Sequence, residues 1–325
     1  FLSANTFSVH LTAYDDNGCS NSYTNDNVLV VPNPTAQLIT SPGCDGDCLL
    51  FDGISSSPNP IFNIVEWNFA TNGNGPGYCS PNNPTSTNTS FEYNSYGTYQ
   101  VYLDIKDANG CTNNTSEPIT VYKKPTPGFM HDTILCQDNP ITFTDTSDWG
   151  DASISAWQWT FGSGSSIPNS SISSIDISYA FNGLKDITLT ITDDNSCSDI
   201  IAKQIYINNL PTVDFEWTNV CAGQPVELEN LSSPNDNPIT LNNWILSDAY
   251  STTDPSFSHI YNSIDSLVGA YVDAKLIVTD EAHCTDSLTA SNSIEIHPLP
   301  TVKITTSPWV CEGDDFMFRN DSSSI

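Results

Sequence analysis

The sequence predicts an all-β protein built from tandem β-sandwich domains, because a short block recurs every 86 to 92 residues and apolar residues alternate at period two between turn-rich segments. Residues 99–105 and 187–191 show this alternation, with β-branched and aromatic residues where a half-buried strand would face a core. No capped run with a 3.6-residue period is long enough to predict a helix. Each repeat is therefore expected to consist of short strands joined by polar loops.

The composition supports buried cores and excludes several classes of partner. Hydrophobic residues make up 38% and aromatic residues 10% of the 325 residues, which is typical of folded domains. The net charge of −30 arises from 38 acidic side chains against 8 basic ones, and Arg319 is the only arginine. So few cations exclude a groove for nucleic acid, and the lack of an apolar run of about 18 residues predicts no membrane insertion in this segment.

Two families of cysteines set the register of the repeat. The closing cysteines end an Asp-x-x-x-Cys block and recur at steps of 92, 86 and 87 residues: Cys19, Cys111, Cys197 and Cys284. The opening cysteines recur at steps of 92, 85 and 90 residues: Cys44, Cys136, Cys221 and Cys311. This register predicts complete repeats at 32–123, 124–209 and 210–297, with the C-terminal part of a repeat at 1–31 and the N-terminal part of another at 298–325. We expect the chain to be a window of a longer array.

The cysteine count predicts disulfides and an oxidising compartment, because the chain has 10 cysteines and few cations. Opening and closing cysteines of one repeat are expected to pair, as Cys44 with Cys111, Cys136 with Cys197 and Cys221 with Cys284. Cys48 and Cys79 form a fourth pair by elimination, and Cys19 and Cys311 are left unpaired in this window. Each long loop would stabilise its repeat by about 4 kcal/mol. A zinc site on the segment from Cys44 to Cys48 is the alternative.

Short proline-bearing segments join the repeats, at residues 31–34, 124–127, 210–211 and 297–300. Proline fixes its own φ and restricts the preceding residue to extended conformations. We therefore expect stiff linkers and an extended rod.

One segment carries a family resemblance. The segment from Trp159 to Gly164 reads Trp-Thr-Phe-Gly-Ser-Gly and resembles the Trp-x-Phe-Gly-Asp-Gly signature of PKD (polycystic kidney disease) domains. The later segments 179–183 and 191–193 are similar to the aromatic-x-x-x-Gly and Thr-Asp ending of that family, and Trp67 and Trp244 stand in the same register as Trp159. The resemblance implies immunoglobulin-like sandwiches with Trp67, Trp159 and Trp244 in their cores.

The Asn-Gly-Cys form and the paired cysteines are similar to PKD arrays in very large cell-surface proteins of Bacteroidota, including gliding-motility adhesins. This resemblance implies a non-enzymatic stalk or filament segment outside the cell, at the cell surface. The implied partners are neighbouring repeats of the same chain, like filaments or surface glycans. Ancillary modules of a secreted hydrolase are one alternative, and a glycan-binding module that uses Trp149 or Trp217 is another.

Candidate chemistry is sparse. The five histidines share no motif, and the chain has no Gly-x-Ser-x-Gly and no His-Glu-x-x-His. Calcium is the one candidate cofactor, at Asp15, Asp107 and Asp193, because hard carboxylate ligands recur there. An ordinary Asp-x-Asn-Gly turn explains the same residues without an ion.

Three segments resemble the Asp-Ser/Thr-aliphatic acceptor for O-glycans in Bacteroidota. They place candidate glycosylation at Thr133, Ser266 and Ser287.

Overall fold

The computed structural model describes residues 4–54, 62–70, 77–79, 86–262, 268–306, 308–315 and 317–320, and these residues contain strands and no helix. The chain divides into two compact units. One contains Phe1–Gly128, Thr146–Trp157 and Thr190–Ile201, and the other contains Phe129–Asp145, Gln158–Leu189 and Ala202–Ile325. In the described part of the chain, we find no helix with the length and apolarity needed to cross a bilayer.

A hairpin precedes the first complete repeat. Strands β1 (Asn5–Tyr14) and β2 (Ser20–Val30) pair antiparallel, and Tyr14 lies opposite Ser20.

The first complete repeat folds into two four-stranded sheets. Its strands are β3 (Ile39–Thr40), β4 (Gly43–Cys44), β5 (Cys48–Asp52), β6 (Phe62–Phe69), β7 (Gly77–Tyr78), β8 (Asn88–Glu92), β9 (Gly97–Asp107) and β10 (Thr112–Tyr122). One sheet has the order β4-β10-β9-β6 and the other β3-β5-β8-β7. Phe51 and Phe91 of the second sheet pack with Trp67 and Leu103 of the first in one buried cluster.

The second repeat has a three-stranded and a four-stranded sheet. Its strands are β11 (Phe129–His131), β12 (Ile141–Asp145), β13 (Ile154–Thr160), β14 (Asn169–Ser170), β15 (Ser174–Ile177), β16 (Gly183–Asp193) and β17 (Ser198–Ile207). The sheet orders are β11-β12-β15 and β14-β13-β16-β17. Across the sandwich, the rings of Phe143 and Trp159 meet edge to face at 6.3 Å between centroids.

The third repeat has a three-stranded and a five-stranded sheet, and a short hairpin follows it. Its strands are β18 (Phe215–Trp217), β19 (Val220–Cys221), β20 (Val226–Asn230), β21 (Ile239–Leu246), β22 (Ser251–Thr252), β23 (Ser256–His259), β24 (Ala270–Asp280) and β25 (Thr285–His297); β26 (Ile304–Thr306) and β27 (Phe318–Asn320) form the hairpin. The sheets are β18-β20-β23 and β19-β25-β24-β21-β22. Their core includes Leu228, Trp244 and Leu276.

Period-two alternation produces these cores. The long central strands bury every second residue, as at Val101, Leu103 and Ile105 in β9. This alternation matches the pleat of a strand that presents one face to a second sheet. The predicted fold class, all-β with tandem immunoglobulin-like sandwiches, is confirmed.

The three tryptophans in shared register occupy equivalent buried positions, with Trp159 and Trp244 fully buried and Trp67 at 5% exposure. Each indole N–H donates to a backbone carbonyl of a later segment: Trp67 to Ser86 at 2.9 Å, Trp159 to Ile172 at 2.8 Å and Trp244 to Asp254 at 3.0 Å. A buried indole needs this partner because an unpaired N–H would carry a desolvation cost.

Candidate functional site

The opening cysteines lie in a recurring β-turn. In each case a backbone N–H three residues later donates to the cysteine carbonyl, with distances of 3.0 to 3.4 Å, at Cys44, Cys136, Cys221 and Cys311. The third turn residue has positive φ, and it is Gly46, Asp138, Gly223 or Gly313. Three of the four repeats therefore use glycine where the backbone requires a left-handed conformation.

Each opening turn of the complete repeats is fixed to the end of the last strand of its own repeat. Cys44 pairs in parallel with Tyr122, Cys136 with Asn208 and Cys221 with His297. The N–H of the residue after each cysteine then donates to the carbonyl of that same partner at 2.9 Å. The opening cysteine thus marks the end of the repeat at which the chain leaves for the next one.

The closing cysteines lie in a second recurring turn, between the two longest strands of each repeat. At Asp107 the Oδ1 atom accepts the N–H groups of Asn109 and Cys111 at 2.9 and 3.0 Å. The same carboxylate cap forms at Asp193, where the N–H of Cys197 donates at 2.8 Å. A carboxylate that accepts two backbone N–H groups in this way is an Asx-type turn.

Two disulfides join successive repeats. Cys44 is bonded to Cys197 and Cys136 to Cys284, each with Cα atoms 5.6 Å apart. An opening cysteine therefore bonds the closing cysteine of the following repeat. The expected pairings Cys44 with Cys111, Cys136 with Cys197 and Cys221 with Cys284 are wrong, and Cys111 and Cys221 carry free thiols, as do Cys19 and Cys311.

The length of the last strand explains the correction. Cys111 immediately precedes β10, which has 11 residues, whereas Cys44 pairs with Tyr122 at its far end. At about 3.4 Å per residue the two cysteines lie about 35 Å apart, and a disulfide needs Cα atoms within about 7 Å. Cys221 and Cys284 lie likewise at opposite ends of β25.

Cys48 is bonded to Cys79, the pair expected by elimination. These two sulfurs and Glu92 form a group of candidate metal ligands in the described residues, but both sulfurs are in the disulfide and neither is a thiolate. The alternative zinc site on Cys44 and Cys48 fails for the same reason, since each belongs to a different disulfide.

An aspartate from the following repeat supports each junction. Asp151 Oδ2 accepts the backbone N–H of Lys123 at 2.8 Å, and Asp236 Oδ2 accepts that of Asn209 at 2.8 Å. Lys123 and Asn209 each come directly after the residue that pairs with the opening cysteine. The hydrogen bond from the Asn209 backbone holds the pKa of Asp236 below its ordinary value. Sequence reasoning missed these aspartates, although both stand 15 residues after an opening cysteine.

The first junction contains two further close approaches. Asp45 Oδ1 accepts the N–H of Lys124 at 2.8 Å, and the ammonium of Lys124 pairs with Asp47. Gly150 has no room for a side chain, because a Cβ there would stand 2.1 Å from the carbonyl oxygen of Lys123. Backbone contact at this point therefore requires glycine.

The candidate calcium residues act as turn caps in the structure. Asp107 and Asp193 are buried and Asp15 is exposed, yet the Oδ1 atom of each accepts backbone N–H groups. These bonds account for the recurring aspartates through turn chemistry, and calcium binding stays a prediction.

The remaining candidate residues lie apart from the junction bonds. Thr133 and Ser287 are exposed, and Ser266 lies outside the described residues. Among the tryptophans, Trp149 is 67% exposed, whereas Trp217 packs against the core of the third repeat. Glycosylation at these hydroxyls stays a prediction.

One acid–base pair was not anticipated. His259 Nε2 and Asp248 Oδ2 lie 2.7 Å apart, and the ring of Tyr250 stacks on the imidazole at 4.4 Å between centroids. Burial raises the pKa of Asp248, but the hydrogen bond and charge of His259 together with the backbone hydrogen bonds to this carboxylate outweigh burial, so the pKa lies below its ordinary value.

Comparison with known proteins recognises a PKD domain in the second repeat, where residues 122–207 match the family model described as the PKD domain. The PKD1 domain of the Vibrio cholerae metalloprotease PrtV is 27% identical, covers 26% of this chain and 98% of its own, and has a TM-score of 0.23. The three N-terminal domains of the bacteriophage RB49 outer capsid protein Hoc are 12% identical, cover 82% and 99%, and have a TM-score of 0.35. No curated protein matches the chain significantly.

The PKD domain and the disulfides together indicate an extracellular protein built from structural or adhesion-type modules.

Proposed function

We propose that this chain is a stalk or filament segment of a very large secreted or surface-anchored adhesin-type repeat protein, which serves cell adhesion or gliding motility. The observation that supports this proposal is the disulfide from one repeat to the next, at Cys44–Cys197 and Cys136–Cys284. A bond inside one repeat would stabilise that repeat alone. A bond between repeats ties neighbouring modules together, which is what a structural segment under load requires.

The charge distribution fits a protein exposed outside the cell. The net charge of −30 opposes lateral association of like segments, since exposed like charges repel within a Debye length. With 8 lysine and arginine residues in 325, the chain offers few cleavage sites to trypsin-like proteases. The similarity to Bacteroidota surface arrays supports the adhesin and gliding roles at the level of family analogy.

Small-angle scattering of the purified chain tests the stalk. A compact domain of this length has a radius of gyration of about 20 Å. Three repeats in line, each at least as long as its 11-residue strand of about 37 Å, form a rod of at least about 110 Å and predict a radius of gyration of at least about 32 Å. A radius close to 20 Å under oxidising conditions contradicts the stalk.

A cellular experiment tests the role in adhesion. An in-frame deletion of residues 124–297 from the gene should leave the protein detectable at the cell surface by antibody while adhesion or surface spreading of the cells decreases. A matched strain that carries a silent change in the same segment is the control. Unaltered adhesion and spreading, or retention of the protein inside the cell, would refute the proposal.

Trp149 favours a second candidate, a glycan-binding module, because an indole that is 67% exposed can stack on a sugar ring. Binding of the oxidised chain to a glycan array, lost in Trp149→Ala and retained in Trp217→Phe, would support it. No binding by the intact chain refutes this candidate and leaves the stalk untouched.

A further inference from the structure

The two long disulfide loops overlap. The Cys44–Cys197 bond closes a sequence separation of 153 residues and the Cys136–Cys284 bond one of 148 residues. Residues 136–197 belong to both loops. Pairing within repeats would instead have produced separate loops, one after another along the chain.

Overlap changes how the covalent chain can be stretched. Between the two disulfides three stretches of chain run in parallel, at residues 44–136, 136–197 and 197–284. The stretch at 136–197 is the shortest, at about 60 residues, and it becomes taut before the other two. Tension applied to the ends of an unfolded chain would therefore pass through both disulfides and through this stretch.

We propose that the shifted disulfides form a covalent load path that limits the extension of the array, so that the repeats cannot release most of their chain under force. The proposal deepens the structural role proposed above and rests on it. Without disulfides the 325 residues extend to roughly 1,100 Å at about 3.5 Å per residue. With both bonds, about 145 residues lie on the shortest covalent path, which extends to roughly 500 Å.

The two bonds also support each other. Either bond alone removes 153 or 148 residues from the stretched path, whereas the two together remove about 180. Loss of one bond consequently releases only about 25 to 30 residues, because the other loop still holds most of the chain. Loss of the second bond releases about 150 residues at once.

The local structure of the free cysteines continues this pattern. Cys221 lies in the same turn and the same parallel pairing as Cys44 and Cys136, and Cys111 lies in the same capped turn as Cys197. Bonding of Cys221 to the closing cysteine of a further repeat would carry the path from Cys44 through Cys197 to the next junction. That path crosses two repeats with about 25 residues of chain.

Force-clamp spectroscopy with a reductant tests the load path. The full chain is held through peptide tags at its two ends, with Cys48→Ser and Cys79→Ser to remove the third disulfide. Cys19, Cys111, Cys221 and Cys311 are replaced by serine to prevent thiol exchange. We expect each molecule to lengthen in two steps as the bonds are reduced. The first step should be about 100 Å and the second about 500 Å, whichever bond breaks first.

Control variants sharpen the result. Cys136→Ser with Cys284→Ser, or Cys44→Ser with Cys197→Ser, should remove the small step and keep the large one. In the variant held for force-clamp spectroscopy, Cys136–Cys197 is the only bond that can form within a repeat, so a single step of about 60 residues, roughly 200 Å, would overturn the proposal. Absence of any lengthening on reduction would overturn it as well.

The step lengths in this experiment depend only on which cysteines are bonded to each other, and the measurement needs no adhesion ligand. Two unequal steps together with a compact radius of gyration would support the load path and refute the stalk. A single step of about 60 residues together with an extended radius of gyration would refute the load path and support the stalk.

Discussion

Three buried tyrosines follow equivalent strands and differ in one hydrogen bond. Tyr93, Tyr179 and Tyr261 come one or two residues after β8, β15 and β23. The hydroxyl of Tyr179 donates to the carbonyl of Phe161 at 2.8 Å, whereas the hydroxyls of Tyr93 and Tyr261 are buried without a hydrogen-bond partner in the described structure. One residue type thus has two different energetic roles at one position of the repeat.

Removing these hydroxyls should have opposite effects. Tyr179→Phe should lower the free energy of unfolding by about 1 kcal/mol, because it removes a net favourable hydrogen bond and leaves the Phe161 carbonyl without it. Tyr261→Phe should be neutral or stabilising, since the phenylalanine buries no unpaired hydroxyl. Urea denaturation followed by tryptophan fluorescence measures both. Equal decreases in the free energy of unfolding of the two variants would contradict the conclusion that only the Tyr179 hydroxyl forms a stabilising hydrogen bond.

Tyr261 also predicts a limit to stability at alkaline pH. Burial, with the nearby Asp248 and Asp273, raises its pKa to about 12 from the ordinary 10. Because the pKa is higher in the folded state than in the unfolded state, the contribution of Tyr261 to stability is fully present below about pH 10. This contribution is lost as the pH rises towards 12. Unfolding midpoints between pH 9 and 12 should fall less steeply in Tyr261→Phe than in the parent. Tyr14→Phe, at an exposed ring, is the matched control and should follow the parent.

At the scale of the element, the closing turn explains why a short block recurs. Its third residue after the aspartate has positive φ in every copy: Gly18, Gly110, Ser196 and His283. The sequence predicted a turn at this block, and the candidate calcium site was read from the same aspartates. The sequence could not separate the two, because a carboxylate that caps N–H groups and one that binds an ion have the same spacing.

A glycine at the strained position should stabilise this turn. Ser196 has φ of 67°, a conformation that costs L-residues about 1 kcal/mol and glycine little. Ser196→Gly should therefore raise the free energy of unfolding by up to about 1 kcal/mol. Ser155→Gly, within β13, should lower it, since glycine weakens a strand. Thermal unfolding of both variants measures these changes. A lower stability of Ser196→Gly than of the parent would contradict the inference that the backbone at Ser196 is strained.

The first junction should be sensitive to one methyl group. Gly150→Ala would place a Cβ 2.1 Å from the Lys123 carbonyl oxygen, so the backbone must shift. We expect the free energy of unfolding to decrease by about 1 to 3 kcal/mol and the Lys123 amide to exchange its hydrogen faster. Gly128→Ala, where the nearest atom would be 3.3 Å away, should cost less. Similar losses in both would mean that the contact is absent in solution.

At the scale of the molecule, the sequence predicted the strand-rich fold and the three core tryptophans, because period two and regular spacing follow from local chain geometry, and the bounds of the repeats stay a prediction. It did not predict the disulfide partners. Spacing along the chain is compatible with bonds within a repeat and with bonds shifted by one repeat. The last strand of the repeat excludes a bond within the repeat, because Cys111 immediately precedes this strand and Tyr122, which pairs with Cys44, lies at its far end. The length of that strand was the available signal.

A thiol census checks the pairing. We expect four cysteines to react with an alkylating reagent in the unreduced, denatured chain, namely Cys19, Cys111, Cys221 and Cys311. Pepsin digestion at acidic pH, where thiolate exchange is slow, should yield linked peptides that contain Cys44 with Cys197 and Cys136 with Cys284. Peptides that link Cys44 to Cys111 would contradict the structure. The reduced chain, with 10 reactive thiols, is the control.

The shifted bond also has a consequence for biosynthesis. Cys44 meets its partner 153 residues later, whereas Cys48 meets Cys79 after 31. While a chain is made or exported from its N-terminus, Cys48, Cys79 and Cys111 all emerge before Cys197. Oxidation of Cys44 during emergence would therefore join it to the wrong sulfur. Native bonding of Cys44 has to wait until Cys197 has emerged, so the most recently emerged repeat carries its opening cysteine as a free thiol.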